Sequence, residues 1–441
     1  MSTRFFLLQM AFLVGSTGAM FAQDSSYLSL SAQIRPRAEY RSGNFRPLMP
    51  GEDPAALVSS RQRLNFDYHH KELLDLHVSL QNVSIWGQAN AVQPTEKGGN
   101  TIGLFEAYGD VKLAGGLRTR FGRQAISLDD ERIFGVVDWA QGARSHDALA
   151  LVYRQGRLDF RLFAAYNQNY KTNYDNNINN PTGNRYATND AQIYKTMQTF
   201  YGKAMMGKYG YMSLVAYNMG MQNALSDTVD KTIHQQQTIG LNYFRTSPKW
   251  FMSASGFYQM GESATGTNTG AYMFAIKAGL PFAKNWDAAI GWDYLSGYDF
   301  GKANTINHAF AVPFATNHKF YGNMDYFFAG NTHGNVGLCD KYISLGFKPA
   351  TKAKINLIAH WFNATGEVYV ANVKQDSNLG QEVDLNFSWK AYPFLELTGG
   401  YSTYHTSPTL LIVKNTPGAG DWQHWGWFSA NLNLEVLRSK R

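Results

Sequence analysis

Residues 27–41 read YLSLSAQIRPRAEYR, and apolar and polar side chains alternate along almost the whole stretch. Leu28, Leu30 and Ile34 fall on one side of this alternation, whereas Arg35 and Arg37 fall on the other. Successive side chains of a β-strand point to opposite faces, so the segment separates an apolar environment from a charged one. It is longer than the roughly five or six residues of an average soluble strand and long enough for a tilted membrane strand, which needs about 9 to 11 residues.

The same two-residue period continues to the end of the chain, mostly in segments of the longer kind. The predicted strands cover residues 27–41, 58–71, 73–86, 101–113, 116–126, 145–154, 157–168, 195–206, 209–221, 233–246, 249–260, 270–281, 284–296, 338–348, 353–364, 380–390, 394–405 and 424–437. An even number near eighteen is typical of a closed single-chain membrane barrel. The sequence therefore predicts an all-β fold, a transmembrane antiparallel up-and-down β-barrel. A soluble sandwich would also alternate, but with shorter strands.

The connections between the predicted strands differ in length in a regular way. Short turns at 114–116, 155–156, 207–208 and 247–248 alternate with long polar loops at 127–144, 169–194, 297–337 and 406–423. Short periplasmic turns and long extracellular loops are the layout of an outer-membrane barrel. We therefore expect both termini on the periplasmic side.

Residues 1–22 have the composition of a signal peptide, with Arg4 ahead of an apolar stretch and small residues after it. Cleavage is expected between Ala22 and Gln23, with cleavage after Ala19 as the alternative. A membrane anchor would need about 20 apolar residues, more than this stretch provides. The prediction is a signal peptide at 1–22 and a single barrel domain at 23–441.

The composition excludes several classes of protein. The chain of 441 residues is 44% apolar, 15% aromatic and only 17% charged, so it should fold. The single cysteine, Cys339, cannot form an internal disulfide. The net charge of +7 would suit nucleic acid, but the secretory start argues against that partner. No nucleophile elbow, phosphate loop or metal-ligand spacing is present, so we expect no enzyme, no cofactor and no metal site.

In the first predicted strands, basic residues occupy many of the alternate, polar positions. The side chains at these positions should face the barrel interior. The predicted lumen residues include Arg35, Arg37, Glu39, Arg61, Arg63, Glu106, Arg118, Arg120, Arg123 and Arg161, with Arg144 at the start of a strand. A guanidinium group remains charged and matches a carboxylate bidentately, so such a lining selects anions. Structural ion pairs that stiffen the wall are the alternative reading of each arginine.

Four segments together resemble the alginate export family of outer-membrane porins. They are Glu106–Ala107–Tyr108; Gly122–Arg123–Gln124, followed by Asp129, Asp130, Glu131, Arg132, Asp138, Trp139, Arg144 and Asp147; the stretch GWDYLSG at 291–297; and FATNHKFYG at 314–322. The resemblance implies an eighteen-stranded barrel in which an arginine-rich constriction conducts a polyuronate. It would place Glu106, Arg123 and Arg144 near that constriction.

Alternation along the strand and the family resemblance place the Arg123 side chain on different faces of the barrel wall. Strict alternation with Arg118 and Arg120 would turn its side chain outward, and a bulge at Gly122 would be needed to return it to the lumen. The resemblance also implies an outer loop that folds over the mouth of the barrel as a gate. The gate residues would be Asn317, His318, Lys319 and Asp325. The alternative is a loop that these residues stabilise by its own hydrogen bonds.

The predicted function is that of a porin in the bacterial outer membrane, which lets anionic solutes pass through an arginine-rich lumen. The expected partners are an anionic saccharide, such as one that contains uronate, or a small anion, together with outer-membrane lipid. One alternative is a surface-binding or adhesion barrel with a plugged lumen, and another is an outer-membrane barrel enzyme. The substrate, the direction of transport and the oligomeric state stay open.

Overall fold

Eighteen strands form one closed antiparallel barrel in the computed structural model, which describes residues 26–43, 45–88, 102–167, 194–222, 232–328 and 333–440. The first strand closes the barrel because it pairs with both the second and the last. The strands are β1 Tyr27–Arg41, β2 Ala55–His70, β3 Leu74–Ile85, β4 Gly103–Ala114, β5 Leu117–Gln124, β6 His146–Gln155, β7 Leu158–Tyr166, β8 Thr196–Met206, β9 Gly210–Gln222, β10 Ile233–Thr246, β11 Phe251–Glu262, β12 Asn268–Ala283, β13 Trp286–Leu295, β14 Leu338–Ala350, β15 Ala353–Asn363, β18 Asn378–Tyr392, β19 Leu395–His405 and β20 Trp422–Lys440. The remaining elements are the hairpin of β16 Tyr369–Val370 and β17 Val373–Lys374, a 3-10 helix at Asn317–Lys319 and helix α1 at Pro408–Val413.

Side chains that alternate along the sequence lie on opposite faces of the barrel wall. In β6, Ala148 and Ala150 are buried against the barrel interior, whereas Leu149 and Leu151 are exposed on the outside. Leucine and isoleucine side chains on the outer face suit lipid rather than water. Among the described residues, no helix is both long and apolar enough to cross a membrane.

The predicted barrel is confirmed, and each of the eighteen predicted strands has its counterpart. Short turns, such as Gln155–Leu158, lie at one end of the barrel together with Tyr27 and Lys440, which pair across the closure. We call this the turn end and the opposite one the loop end. The predicted signal peptide and almost all of the predicted loop at 169–194 lie outside the described residues.

Two long connections at the loop end fold into the barrel. Loop A, residues 125–145, joins β5 to β6, and loop B, residues 296–337, joins β13 to β14. Phe134 of loop A stacks on Phe314 of loop B, with ring centroids 5.1 Å apart, and its edge meets Tyr217 of β9. The apolar core therefore lies inside the barrel, between the two loops and the wall.

Candidate permeation site

Four arginines of β1 and β2 form a basic wall on one side of the barrel interior. They are Arg35, Arg37, Arg61 and Arg63. Arg35 and Arg61 are direct cross-strand partners. Because like charges placed opposite each other are unfavourable, the basic wall needs a counter-charge from elsewhere.

Asp138 of loop A supplies that counter-charge. Its Oδ1 lies 2.8 Å from Arg61 Nη1, and its Oδ2 lies 3.2 Å from Arg35 Nη1. Arg63 Nη1 is further away, at 3.6 Å from Oδ1. Burial raises the pKa of Asp138, but the hydrogen bond from Arg61 and the neighbouring guanidinium charges lower it more, so that the net pKa lies below its ordinary value.

The backbone of loop A also accepts hydrogen bonds from the basic wall. Arg37 Nη1 donates to the Trp139 carbonyl at 2.7 Å, and Arg35 Nη2 donates to the Ala140 carbonyl at 3.2 Å. The Arg37 guanidinium also lies 4.1 Å above the Trp139 ring, and its Nε pairs with Glu39 at 2.7 Å. These arginines face the interior as the strand phase predicts, but loop A lies over them.

A second group of arginines lies nearer the turn end. Arg118 pairs with Asp75 at 2.6 Å and also with Asp110, and Arg120 pairs with Asp110 at 2.9 Å. Their side chains are about one third exposed, at 27% and 33%. Arg161 on β7 is similarly paired, with Asp159 at 2.6 Å.

Two further predicted residues make contacts that hold loop A. Glu106 accepts a hydrogen bond from the Ala125 backbone N–H at 2.7 Å, where loop A begins. Arg144 donates to the Ala315 carbonyl of loop B at 3.1 Å. Burial lowers the pKa of Arg144 to about 10. Arg144 therefore joins the two loops.

The expectation that Arg123 lines the lumen is wrong. Arg123 pairs with Asp147 at 2.8 Å, and both side chains lie on the face opposite the buried residues Gln124 and His146. The β4–β5 register runs without a shift through Gly122, so no bulge turns Arg123 inward. The strict alternation of the strand decides its direction.

The predicted gate residues lie in loop B, and two of them, His318 and Lys319, contact loop A. His318 stacks on Trp139 with ring centroids 4.1 Å apart, and its Nδ1 lies 2.9 Å from Asp325. Lys319 Nζ pairs with Glu131 of loop A at 2.7 Å. Asn317 donates within loop B, to the Phe328 carbonyl.

An acidic wall on β13, β14 and β18 was missed by the sequence reasoning. Its carboxylates are Asp293, Asp340, Glu382 and Asp384, all buried, with His360 of β15 between Asp340 and Asp384. Loop B docks there, because the Met324 N–H donates to Glu382 Oε1 at 2.7 Å. The signal was available, since Glu382 and Asp384 alternate with Val383 and Leu385.

A cavity of about 770 Å³ lies between the loop-end part of β1 and the two loops. Its polar lining includes Arg37, Arg41 and Arg144 together with the carboxylates of Glu39 and Asp325, and the Phe45 and Trp139 rings also line it. Among the described residues, no group of three or more histidine, cysteine, aspartate or glutamate side chains is arranged to hold a metal ion.

The family model described as alginate export matches residues 26–407 of this chain. Several solved structures share the fold. OpdL of Pseudomonas aeruginosa is 10% identical, with a TM-score of 0.61 and coverage of 93% of this chain and 99% of that one. OccAB1 of Acinetobacter baumannii is also 10% identical, with a TM-score of 0.59 and coverage of 93% and 97%.

OprD of Pseudomonas aeruginosa, an outer membrane protein, is likewise 10% identical, with a TM-score of 0.58 and coverage of 93% of this chain and 94% of that one. At such identities these likenesses show the fold alone. The search of curated proteins found no match. The family match extends over most of the barrel, from before β1 to the end of β19. The chain therefore belongs to the alginate export family and is a porin-type β-barrel of the bacterial outer membrane.

Proposed function

We propose that this protein is a passive, anion-selective channel that lets solutes with carboxylate groups, above all uronate-bearing saccharides, cross the outer membrane. The basic wall carries this proposal. Its four guanidinium groups share Asp138 and Glu39 as their carboxylate partners, so positive charge is in excess there. A concentration of fixed positive charge attracts anions and repels cations within a low-dielectric barrel.

The cavity at the loop end supports a saccharide as the solute. Its volume lies within the roughly 300–1,000 Å³ of typical small-molecule sites. The Arg37 and Arg41 guanidinium groups, which lie over the Trp139 and Phe45 rings, offer donors for a carboxylate. A cavity of this size with several guanidinium donors fits an acidic sugar better than a small inorganic anion.

The arginines nearer the turn end support a path with weak sites. Arg118 and Arg120 are matched by Asp75 and Asp110, and Arg161 is paired with Asp159. Paired arginines do not hold an anion tightly, and weak sites are what conduction requires. A solute that leaves the basic wall would therefore meet guanidinium groups that are each paired with a carboxylate.

Reversal potentials in planar bilayers test the proposal. With purified protein in a KCl gradient, the sign of the reversal potential should show that chloride passes more readily than potassium. Replacing Arg35, Arg37, Arg61 and Arg63 with Ser should lower the chloride-to-potassium permeability ratio several-fold, because most of the fixed positive charge is removed. Arg123→Ser is the matched control, because this arginine faces outward.

A cation-selective current in the wild type, or an unchanged ratio in the quadruple variant, would contradict the assignment. A barrel that stays silent under all conditions would favour the adhesion alternative. Turnover of an oligosaccharide or lipid by the purified protein would favour an enzyme.

The pH dependence of the current tests the role of Asp138. Its pKa in the docked loop lies below the ordinary 3.8, so the carboxylate stabilises docking fully above that pH. This stabilisation is lost as the pH falls through the lowered value. We expect a steady conductance from pH 7 to about 4 and a rise below it, as loop A is released. Asp138→Asn should remove the acid step, and a step that persists in this variant would contradict the assignment.

A further inference from the structure

The Asp138 carboxylate is bound as a free carboxylate ligand would be. Three guanidinium groups surround it, with N–O distances of 2.8, 3.2 and 3.6 Å to Arg61, Arg35 and Arg63. Planar donor forks that converge on one carboxylate are the usual means of recognising that group. Here the carboxylate comes from loop A, whereas its binding site belongs to the barrel wall.

Asp138 does not satisfy this site. One negative charge stands against three positive ones, and Arg63 Nη2 is buried without a hydrogen-bond acceptor among the described residues. A buried donor that lacks an acceptor is unfavourable. The Asp138 side chain is also 57% exposed, whereas that of Arg61 is 1% exposed. The site is thus built into the wall, while its occupant remains accessible to solvent.

The backbone next to Asp138 opposes the docked position of loop A. Val137 has a φ of +53°, a region that a β-branched residue adopts only under strain. Its N–H is held by Thr316 Oγ1 of loop B at 3.0 Å. Ala143, on the other side of the docked segment, has a φ of +55°. Left-handed backbone therefore flanks the segment that carries Asp138 on both sides.

We propose that Asp138 is an internal competitor, which occupies a carboxylate subsite formed by Arg35, Arg61 and Arg63 until the carboxylate of a permeating sugar acid displaces it. This inference rests on the proposed function and names its central subsite. Displacement also frees the guanidinium groups that donate to the carbonyls of loop A, including that of Arg37. Binding of the solute and withdrawal of loop A from the basic wall are therefore one event.

The test measures block of the ion current by galacturonate in planar bilayers, with the full-length protein. Asp138→Asn keeps the shape of the side chain but removes its charge. We expect the galacturonate concentration for half-block to fall about tenfold, because the subsite is no longer occupied for most of the time. Block by galactose, the neutral counterpart, should not change.

Asp147→Asn is the matched control. Asp147 also pairs with an arginine at 2.8 Å and its side chain is 54% exposed, but it lies on the outer face. This variant should behave as the wild type does. Asp138→Ala repeats the test with a side chain that has no amide group. For each variant, a difference in gel migration between unheated and heated samples reports that the barrel has folded.

Two results would overturn the inference. Unchanged galacturonate block in both Asp138 variants would mean that its carboxylate does not compete. Weaker block would mean that Asp138 positions the arginines for the ligand. A wild type that prefers cations would refute the proposed function instead, and the comparison of variants would still report whether Asp138 and galacturonate exclude each other.

Discussion

Arg132→Met is expected to lower the free energy of unfolding of the barrel by about 3 to 5 kcal/mol, the loss typical of breaking a buried ion pair. Arg132 Nη1 lies 2.7 Å from Asp293 Oδ2, and both side chains are buried inside the barrel. The Arg132 guanidinium also lies 4.0 Å above the Phe320 ring of loop B. The substitution therefore leaves the Asp293 carboxylate unpaired and removes a link between loop A, loop B and the wall.

Urea unfolding in detergent micelles, followed by tryptophan fluorescence, measures this effect. The double variant Arg132→Met with Asp293→Leu is the control, because an apolar pair of similar volume is often as stable as a buried ion pair. It should regain most of the lost stability. If the double variant is as unstable as Arg132→Met alone, packing of the arginine stem on Phe320 rather than charge pairing explains the loss.

The two-residue alternation along the strands was enough to predict the barrel and the face to which most wall side chains point. Arg35 faces the interior because it alternates with the apolar neighbours Ile34 and Pro36, and Arg61 is its cross-strand partner on the same face. The same rule of alternation gives the correct outward direction for Arg123. The resemblance to a family suggested otherwise for Arg123. A continuous register is a local property of the strand, so alternation was the stronger argument.

The docking of the loops could not be predicted in the same way. Asp138 meets Arg61 across 77 positions of sequence, and Arg132 meets Asp293 across 161. Neither loop has a period that fixes the direction of its side chains. The acidic wall was predictable in position, since Glu382 and Asp384 share one phase of β18, but not as the anchor of loop B.

The two walls hold the two loops by opposite chemistry. The basic wall binds a carboxylate and backbone carbonyls of loop A, whereas the acidic wall binds backbone N–H groups of loop B. Asn323 N–H donates to Asp384 Oδ2 at 3.3 Å, next to the bond from Met324 to Glu382. Disturbing either contact should therefore weaken the docking of that loop on its own wall.

Gly322→Ala tests this for loop B. Gly322 has a φ of +83°, and a Cβ at this position would lie 2.3 Å from Glu382 Oε2. Left-handed backbone costs an alanine about 1–2 kcal/mol, and overpacking adds about 1–3 kcal/mol, so we expect a total loss of about 2 to 5 kcal/mol. Loop B should leave the acidic wall, with a higher single-channel conductance.

Gly51→Ala separates the two contributions. Its φ of +81° is nearly the same, but a Cβ there would meet no atom within 4 Å. This variant should show the backbone penalty alone and an unchanged conductance. Equal effects of the two substitutions would mean that the contact with Glu382 is unimportant. A larger effect of Gly322→Ala, in both stability and conductance, is what docking on the acidic wall requires.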